Sequence, residues 1–299
     1  MATRSVGMGA GFNWLLHGIR TGFRHPKPLF GGAAVLVAVA LLPTLITLPM
    51  RFHEMSAGTP PSANALILQI ALPMVFSLLI IPLYAGYLQL IDAAERQQPA
   101  RLSGMFRPYR SSEALRLIGL ALASFVIYIA GVALIILATG GGLLHWYMQV
   151  LAGQASHQLP PALPDGFWAA MALLMVLWLW MTGYYAISLG QVALNKSGVF
   201  GAIADGAIGA LKNALPLLVF ALSALVAAIA VIVVFAIVVT LLVLLAKLVS
   251  VWLMIALLVP LYIALLLFMF TTMMSVTYHL WRDVCGNDTA LAMPPPLAA

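Results

Sequence analysis

Charged residues and cysteine are both scarce in this sequence of 299 residues. Asp, Glu, Lys and Arg make up only 7% of the chain, whereas hydrophobic residues make up 64% and the mean hydropathy is +1.07. A soluble domain carries about 25% charged residues, and a surface this poor in charge does not stay in solution. We therefore expect most of the surface to lie against lipid. The single cysteine, Cys285, excludes an internal disulfide and a cysteine-based metal cluster.

Motifs of catalytic and metal sites are also scarce. The six histidines are scattered, and no pair has the His-Glu-x-x-His spacing of zinc hydrolases. Gly7, Gly9 and Gly11 do not follow a predicted strand, so they do not indicate a nucleotide-binding loop. No Ser, Thr or Cys has a general base nearby in the sequence. We expect no metal, no cofactor, no catalytic residue and no enzymatic activity. The net charge of +6 is attributed to membrane topology rather than to nucleic acid binding.

Six apolar segments are long enough to cross a bilayer, which takes roughly 20 residues. The last two come from one apolar run, Leu215–Trp281, which as a single helix would be about 100 Å long. It must fold back, and we place the turn at Lys247–Ser250, where the polar residues lie. The predicted fold is all-α, a polytopic membrane domain over residues 1–282, followed by a disordered cytosolic tail at 283–299. The predicted spans are 29–49, 65–91, 115–139, 167–190, 215–245 and 251–280.

Basic residues predict the orientation. The stretch Arg96–Arg116 alone holds five of the fourteen Lys and Arg residues. Six spans place both termini on one side, and that side collects twelve of the fourteen, leaving Arg51 and Lys247 on the other. Positively charged loops stay in the cytosol, so we predict a multi-pass protein of the bacterial inner (cytoplasmic) membrane, N-in and C-in. No small-residue cleavage site follows the first apolar run, which is expected to remain as a span.

A basic or amphipathic segment precedes the first, third and fifth spans: Phe12–Lys27, Leu102–Ser112 and Val199–Asn213. These three lead-in segments are interpreted as interfacial helices, because a basic face lies opposite an aromatic and aliphatic face. The sequence of lead-in, span, outer loop and span divides the chain into units 1–98, 99–197 and 198–299, which predicts three helical-hairpin repeats. Trp14, Leu15, Met105 and Phe106 are among the residues expected to face lipid. The residues expected to contact lipid headgroups are Arg20, Arg24, Lys27, Arg101, Arg107, Arg110 and Lys212.

The two ends of the chain carry short motifs. Trp14, Gly18, Phe23 and Pro26 precede the first span, and Tyr278-His279-Leu280-Trp281-Arg282-Asp283 follows the last. The first group resembles the opening of a family of uncharacterised bacterial inner-membrane proteins, and the second resembles that family's Tyr-x-x-aromatic-Arg-Asp ending. The six-span layout is similar too, and more distantly it looks like the membrane domain joined to some glycerophosphodiester phosphodiesterases. The phosphodiesterase domain itself is not in the sequence, so the resemblance implies a fold and a location but no catalysis.

Polar residues inside or beside the spans form a second group of candidates. One interpretation is a polar path or an ion relay, because charges in membrane segments mark such pathways. The other is a set of interhelical hydrogen bonds and solvated helix ends. Asp92 and Arg96, four residues apart, have the spacing of a helical ion pair. The candidates are Gln69, Gln89, Asp92, Arg96, Gln191, Asn195, His279, Arg282 and Asp283.

The function favoured by the sequence is non-enzymatic membrane organisation or assembly. In this interpretation the basic lead-in segments contact anionic headgroups of the cytosolic leaflet, and membrane lipids are the partners. The alternative is a small transporter or channel for a lipid-like or hydrophobic solute, and a third possibility is an intramembrane enzyme acting on lipid. A wide polar cavity favours transport, whereas a solid apolar bundle favours the first function.

Overall fold

The computed structural model describes residues 3–57, 63–155, 161–248 and 250–286, and within these ranges the chain is helical with no strand. Six of the helices are long and apolar enough to cross a membrane: α2, α3, α4, α6, α8 and α9. The predicted all-α, six-span membrane fold is confirmed. The helices are α1 (Ala10–Arg24), α2 (Pro26–Ala57), α3 (Ala63–Glu95), a 3₁₀ helix (Leu102–Arg110), α4 (Glu113–Ala138), α5 (Gly142–Ala155), α6 (Phe167–Ala193), α7 (Val199–Lys212), α8 (Ala214–Leu248) and α9 (Val251–Cys285).

The last hairpin turns where the sequence predicts it. Helix α8 ends at Leu248, and the Ser250 hydroxyl accepts a hydrogen bond from the backbone N–H of Trp252, which caps the start of α9. Helix α9 then continues to Cys285, so the prediction that a disordered tail begins at Asp283 is wrong for residues 283–285. These residues stay helical because Val284 and Cys285 are buried in the core. Residues 287–299 of the predicted tail lie outside the described residues.

The connection between α4 and α6 contains a helix that the sequence did not predict. Gly140 and Gly141 adopt positive φ angles of 82° and 72° and end α4, and α5 then begins at Gly142. Positive φ is readily available to glycine, which explains the glycines at this turn. The Trp146 indole N–H donates to the carbonyl of Pro161 at 3.1 Å. This bond ties α5 to the residues that lead into α6.

Buried side chains concentrate at one end of the bundle, here called the base, which is formed by α1, the 3₁₀ helix, α7 and the adjoining helix ends. The core joins the start of α2, the end of α3, the start of α4, the end of α6 and the end of α9. Large side chains at this end, such as Trp14, Tyr87 and Tyr184, are completely buried. In the far halves of the spans, most large apolar side chains are exposed, as expected for surfaces that meet acyl chains.

The three predicted units are arranged as a ring. The second spans of the units, α3, α6 and α9, contact one another in the middle, while α2, α4 and α8 lie outside them. Each lead-in segment packs against the second span of the preceding unit: the 3₁₀ helix on α3, α7 on α6, and α1 on α9. Helix α1 also packs against α8. The first unit therefore closes onto the third, and the contacts support the predicted three hairpin repeats.

Each of these lead-in contacts depends on a close approach at a glycine. A Cβ atom at Gly18 would lie 2.6 Å from the Val276 side chain, one at Gly86 would lie 2.0 Å from the Met105 carbonyl oxygen, and one at Gly206 would lie 2.0 Å from the Ser188 hydroxyl. Small residues allow membrane helices to pack closely in this way. The glycine lies on the lead-in helix at two of these contacts and on the span α3 at the third.

Two of the faces expected to meet lipid meet protein instead. Met105 is fully buried, beside Gly32 and Gly86, and Trp14 and Leu15 lie in the core. The prediction for these three residues is wrong, because an apolar helix face fits a protein core as well as it fits lipid. Phe106 does remain exposed, as expected.

Candidate functional site at the base of the bundle

The ends of α3 and α9 are joined through Asp92. Its carboxylate accepts a hydrogen bond from the Tyr278 hydroxyl at 3.0 Å and another from Arg96 Nε at 2.8 Å. The predicted ion pair between Asp92 and Arg96 is present. The hydrogen bond and the charge of Asp92 raise the pKa of the Arg96 guanidinium above its usual value. The Arg282 guanidinium lies 5.6 Å from the centre of the Tyr278 ring, within cation–π range.

His279 is linked to α1 and α3 through one hydroxyl group. The Thr21 hydroxyl lies 2.8 Å from Glu95 Oε1 and 3.0 Å from His279 Nε2. A threonine has only one O–H proton, and the carboxylate can only accept it, so His279 Nε2 must carry the proton that bonds to Thr21. Arg282 Nη1 lies 4.0 Å from Glu95 Oε2 at the exposed edge of this chain. In a neutral imidazole, this tautomer leaves the Nδ1 atom of His279 as the acceptor.

Three polar atoms on α9 are buried without a hydrogen-bond partner in the described part of the protein. They are His279 Nδ1, Ser275 Oγ and Trp281 Nε1, on residues that are at most 3% exposed. Ser275 and His279 are four apart and lie on one helix face, which Thr271 continues. The Tyr87 hydroxyl lies 3.3 Å from Thr271 Oγ1 and donates to the Leu29 carbonyl at 2.9 Å. A stripe of hydroxyl and imidazole groups thus runs from the base into the apolar part of α9.

The predicted polar residues of α3 and of the end of α6 form hydrogen bonds, most of them to neighbouring helices. Gln191 is fully buried, and its amide donates to Asp205 on α7 at 2.6 Å, while Asn195 donates to the Gln191 carbonyl oxygen. Gln89 on α3 donates to the Ala193 carbonyl at 3.0 Å and lies 3.3 Å from Glu113 Oε2. Their geometry matches interhelical hydrogen bonding. Residue Gln69 lies toward the far end, where it donates to Glu54 on α2 at 3.2 Å.

The short motifs at the two ends of the chain touch each other. The Trp14 indole N–H donates to Asp283 Oδ2 at 2.8 Å, and Gly18 lies against Thr272 and Val276. Residues before the first span and after the last span therefore form one contact between α1 and α9. This contact gives the motif residues a structural role in closing the ring.

The N-terminal segment crosses the base next to this contact. The Arg4 N–H donates to the Val284 carbonyl at 3.0 Å, and the Asn213 side chain bonds to the backbone of Arg4 and Val6. Lys212 Nζ donates to the Thr3 carbonyl at 3.1 Å. Lys212, expected to contact headgroups, therefore also holds the N-terminal segment.

The other predicted headgroup contacts form an exposed basic rim around the base. In the described ranges, none of the six forms an ion pair with a carboxylate. Exposed apolar side chains lie on the same segments, among them Phe23 on α1, Phe106 on the 3₁₀ helix and Phe200 on α7. The basic rim consists of Arg20, Arg24, Lys27, Arg101, Arg107 and Arg110.

Three cavities lie between the two spans of the three hairpins. The cavity in the second hairpin has a volume of about 540 Å³ and extends to Leu211 on α7, and that in the third hairpin is about 450 Å³. Both are lined by apolar side chains apart from Trp180, whose indole N–H faces the Ala207 carbonyl at 3.4 Å. The cavity in the first hairpin is smaller, about 180 Å³, and Thr44, Ser77 and Tyr84 line it.

Comparisons with family models, curated proteins and solved structures find no match for this chain. Sequence reasoning identified His279, Asp92 and Arg282, but it missed Thr21, Ser275 and Tyr87 at the same site. A weak signal for α9 was present, since Thr271, Ser275 and His279 recur at intervals of four residues within a run read as hydrocarbon. Within the described residues, no three His, Cys, Asp or Glu side chains are grouped so as to hold a metal ion.

Proposed function

We propose that this protein is a non-enzymatic six-span protein of the bacterial inner membrane, N-in and C-in, whose base binds anionic headgroups of the cytosolic leaflet. Its role is membrane organisation or assembly. The observation that carries the proposal is the basic rim, whose six cations are exposed and have no carboxylate partner in the described ranges. The resemblance of the two end motifs to inner-membrane proteins agrees with this location.

The composition of the rim suits a membrane surface. On each lead-in segment, exposed cations or polar groups alternate with exposed apolar side chains, such as Arg24 with Phe23 and Arg107 with Phe106. Aromatic rings insert at the headgroup level while arginine contacts phosphate. Each cation near an anionic surface contributes about 1 kcal/mol. The six residues of the rim together supply up to about 6 kcal/mol of attraction to an anionic surface. At physiological salt, this attraction is screened beyond about 8 Å.

Lipid retention tests the proposal. The full-length protein is reconstituted in nanodiscs with a fixed mixture of phosphatidylglycerol and phosphatidylethanolamine, and the lipids that stay bound through native mass spectrometry are counted. We expect phosphatidylglycerol to be enriched, and the variant with Arg20, Arg24, Arg107 and Arg110 replaced by alanine to lose most of that enrichment. The matched variant with lysine at the same four positions keeps the charge and is expected to keep the enrichment. Equal lipid ratios for the alanine and lysine variants contradict the proposal.

The alternative function is a transporter or channel for a lipid-like or hydrophobic solute. The cavity of the second hairpin is not the wide polar cavity that favours transport in general, but its apolar lining suits a hydrophobic solute. Its 540 Å³ are lined by apolar residues of α4, α6, α7 and α8, among them Leu177 and Leu217, and it is open to the surface of the bundle. Substituting Gly131, which lines it, with leucine fills the space. If a fluorescent fatty acid moves between vesicles faster with the wild-type protein than without protein, and G131L abolishes the difference, the alternative is supported. Equal transfer with and without protein excludes it for that probe.

A further inference from the structure

The three hairpin cavities lie next to the lead-in segments. Leu211 of α7 is one of the residues that line the cavity of the second hairpin. The Tyr109 hydroxyl of the 3₁₀ helix donates to the Leu79 carbonyl, beside the cavity of the first hairpin, which Ile80 lines. In both cases the lead-in segment of one unit borders the cavity of the preceding hairpin. The same arrangement recurs where α1 meets the third hairpin.

The last turn of α1 packs at the edge of the third cavity. The ring centre of Phe23 lies 5.8 Å from that of Phe268 on α9, and Phe268 lines the cavity. One residue earlier, a Cβ atom at Gly22 would lie 3.2 Å from the Thr271 side chain. Among the α9 residues that line the cavity, Phe268 is the one nearest the base. Helix α1 therefore meets the cavity at its base side.

The third cavity has the size and depth of an acyl-chain site. Its volume is about 450 Å³, only Ala, Val, Leu and Phe side chains of α8 and α9 line it, and it is open to the surface of the bundle. Measured from Val251, where α9 begins, the lining residues Leu261 to Phe268 lie about 15–26 Å along the helix. The bilayer core is about 30 Å thick. The cavity therefore lies in the leaflet on the side of the base.

Two cations lie beside this edge of the cavity. Arg20 and Arg24 are exposed and four residues apart, so they share one face of α1. Arg20 is also three residues before Phe23, a spacing that makes the two side chains neighbours on the helix surface. In the described ranges, neither arginine forms an ion pair with a carboxylate. A pair of cations therefore adjoins an aromatic ring that contacts the wall of an apolar cavity.

We propose that the third hairpin binds one molecule of an anionic phospholipid, with one acyl chain in the cavity between α8 and α9 and the phosphate on Arg20 and Arg24. Guanidinium groups match the geometry of phosphate oxygens. An acyl chain supplies the contacts that the walls of an empty cavity lack. The inference rests on the proposed function, binding of anionic headgroups by the base, and adds a defined site for a single lipid.

The other two hairpins lack one part of this combination. Next to the second cavity, the Lys212 ammonium on α7 donates to the Thr3 carbonyl and holds the N-terminal segment. Next to the first cavity, Arg107 and Arg110 are exposed, but the cavity measures only about 180 Å³. The third hairpin combines a large apolar cavity with two exposed arginines, so we assign the site there.

Lipid titration followed by native mass spectrometry tests the site. The full-length protein is delipidated in detergent and titrated with dioleoyl phosphatidylglycerol, and the dissociation constant of the tightest-bound lipid is measured. Ala264→Phe and Ala230→Phe fill the cavity from its two walls. Each is expected to weaken binding about tenfold, which corresponds to about 1.4 kcal/mol. Replacing both Arg20 and Arg24 by alanine is expected to weaken it about thirtyfold, from about 1 kcal/mol per cation converted at 1.4 kcal/mol per tenfold.

Matched controls separate the site from general effects. Ala256→Phe places the same side chain on an exposed position of α9 that is not among the lining residues, and we expect it to keep the wild-type affinity. Dioleoyl phosphatidylcholine, with the same acyl chains and no net charge, is expected to bind more weakly than phosphatidylglycerol. Glycerol 3-phosphate carries a phosphate without acyl chains, and we expect it not to displace the lipid.

The outcomes distinguish this site from headgroup binding in general. If Ala264→Phe and Ala230→Phe both bind phosphatidylglycerol as tightly as Ala256→Phe does, the acyl-chain site is overturned and headgroup binding at the rim stands. Displacement of the lipid by equimolar glycerol 3-phosphate likewise overturns the acyl-chain site alone. Equal affinity of the wild-type protein for phosphatidylglycerol and phosphatidylcholine overturns both the site and the proposed function.

Discussion

Replacing Thr21 by valine removes the hydroxyl that joins α1, α3 and α9 while keeping the shape of the side chain. The Glu95 carboxylate then loses a donor at 2.8 Å, and His279 Nε2 loses its partner at 3.0 Å. Thr21 is almost fully buried, so little water replaces the lost bonds. Leaving a buried polar group unsatisfied costs about 1–3 kcal/mol. Hydrogen bonds between membrane helices average about 0.6 kcal/mol, with a maximum near 1.7.

For two groups, these values give an expected loss of about 2–3 kcal/mol in the free energy of unfolding. Thr47→Val is the matched control, because Thr47 is also buried but its hydroxyl bonds only to carbonyls of its own helix. Its loss leaves no other side chain unpaired, and we expect a change below about 0.5 kcal/mol. Reversible unfolding in mixed micelles, followed by circular dichroism, measures both variants. Equal stability of T21V and T47V would refute the role given to Thr21.

Three further predictions concern the ring. Gly86→Val is expected to displace the 3₁₀ helix, because a Cβ atom there meets the Met105 carbonyl, and so to speed proteolysis after Arg101 or Arg107. The control is Gly104→Val, since no atom lies within 4 Å of a Cβ at that position. Equal cleavage of the two variants would contradict the packing of the 3₁₀ helix on α3. Trp14→Phe is expected to lower the free energy of unfolding by about 1–2 kcal/mol, because the hydrogen bond to Asp283 is lost. Trp168→Phe, at an exposed site, is expected to leave it unchanged. Calorimetry in detergent compares the two variants. The third prediction concerns a circular permutant that begins at residue 99 and joins residue 286 to residue 3 by a short linker. We expect it to keep the wild-type helix content and melting temperature, because the Arg4 N–H already bonds to Val284. Loss of the folded state would argue against equivalent units.

The positions of the six spans could be predicted from the sequence because length and hydropathy are enough to identify a helix that crosses a bilayer. The need for a turn in the last apolar run followed from the length limit, and its position near Ser250 followed from the polar residues there. The ion pair between Asp92 and Arg96 was predictable because its members are neighbours on one helix. The exposure of the arginines in the lead-in segments was also predictable, because their charge keeps them out of the core.

The packing partners were not predictable from a local pattern. Thr21 and His279 are 258 positions apart, so no window of the sequence shows that they meet. Met105 was assigned to lipid because it lies on an apolar face, and the sequence does not distinguish a face covered by acyl chains from one covered by α3. The hydroxyl groups of Thr271 and Ser275 were overlooked because apolar residues surround them in a helix that is mostly hydrocarbon. The ring contacts of the three units explain why each of these residues is buried.

Binding of anionic lipid by the basic rim is measured most directly with spin-labelled lipids. The full-length protein is reconstituted in phosphatidylcholine, and electron paramagnetic resonance gives the fraction of labelled phosphatidylglycerol and of labelled phosphatidylcholine immobilised at the protein surface. We predict a preference for phosphatidylglycerol that falls as salt rises and disappears in the variant with Arg20, Arg24, Arg107 and Arg110 replaced by alanine. A preference that is absent at low salt, or that survives both high salt and the four substitutions, would contradict it.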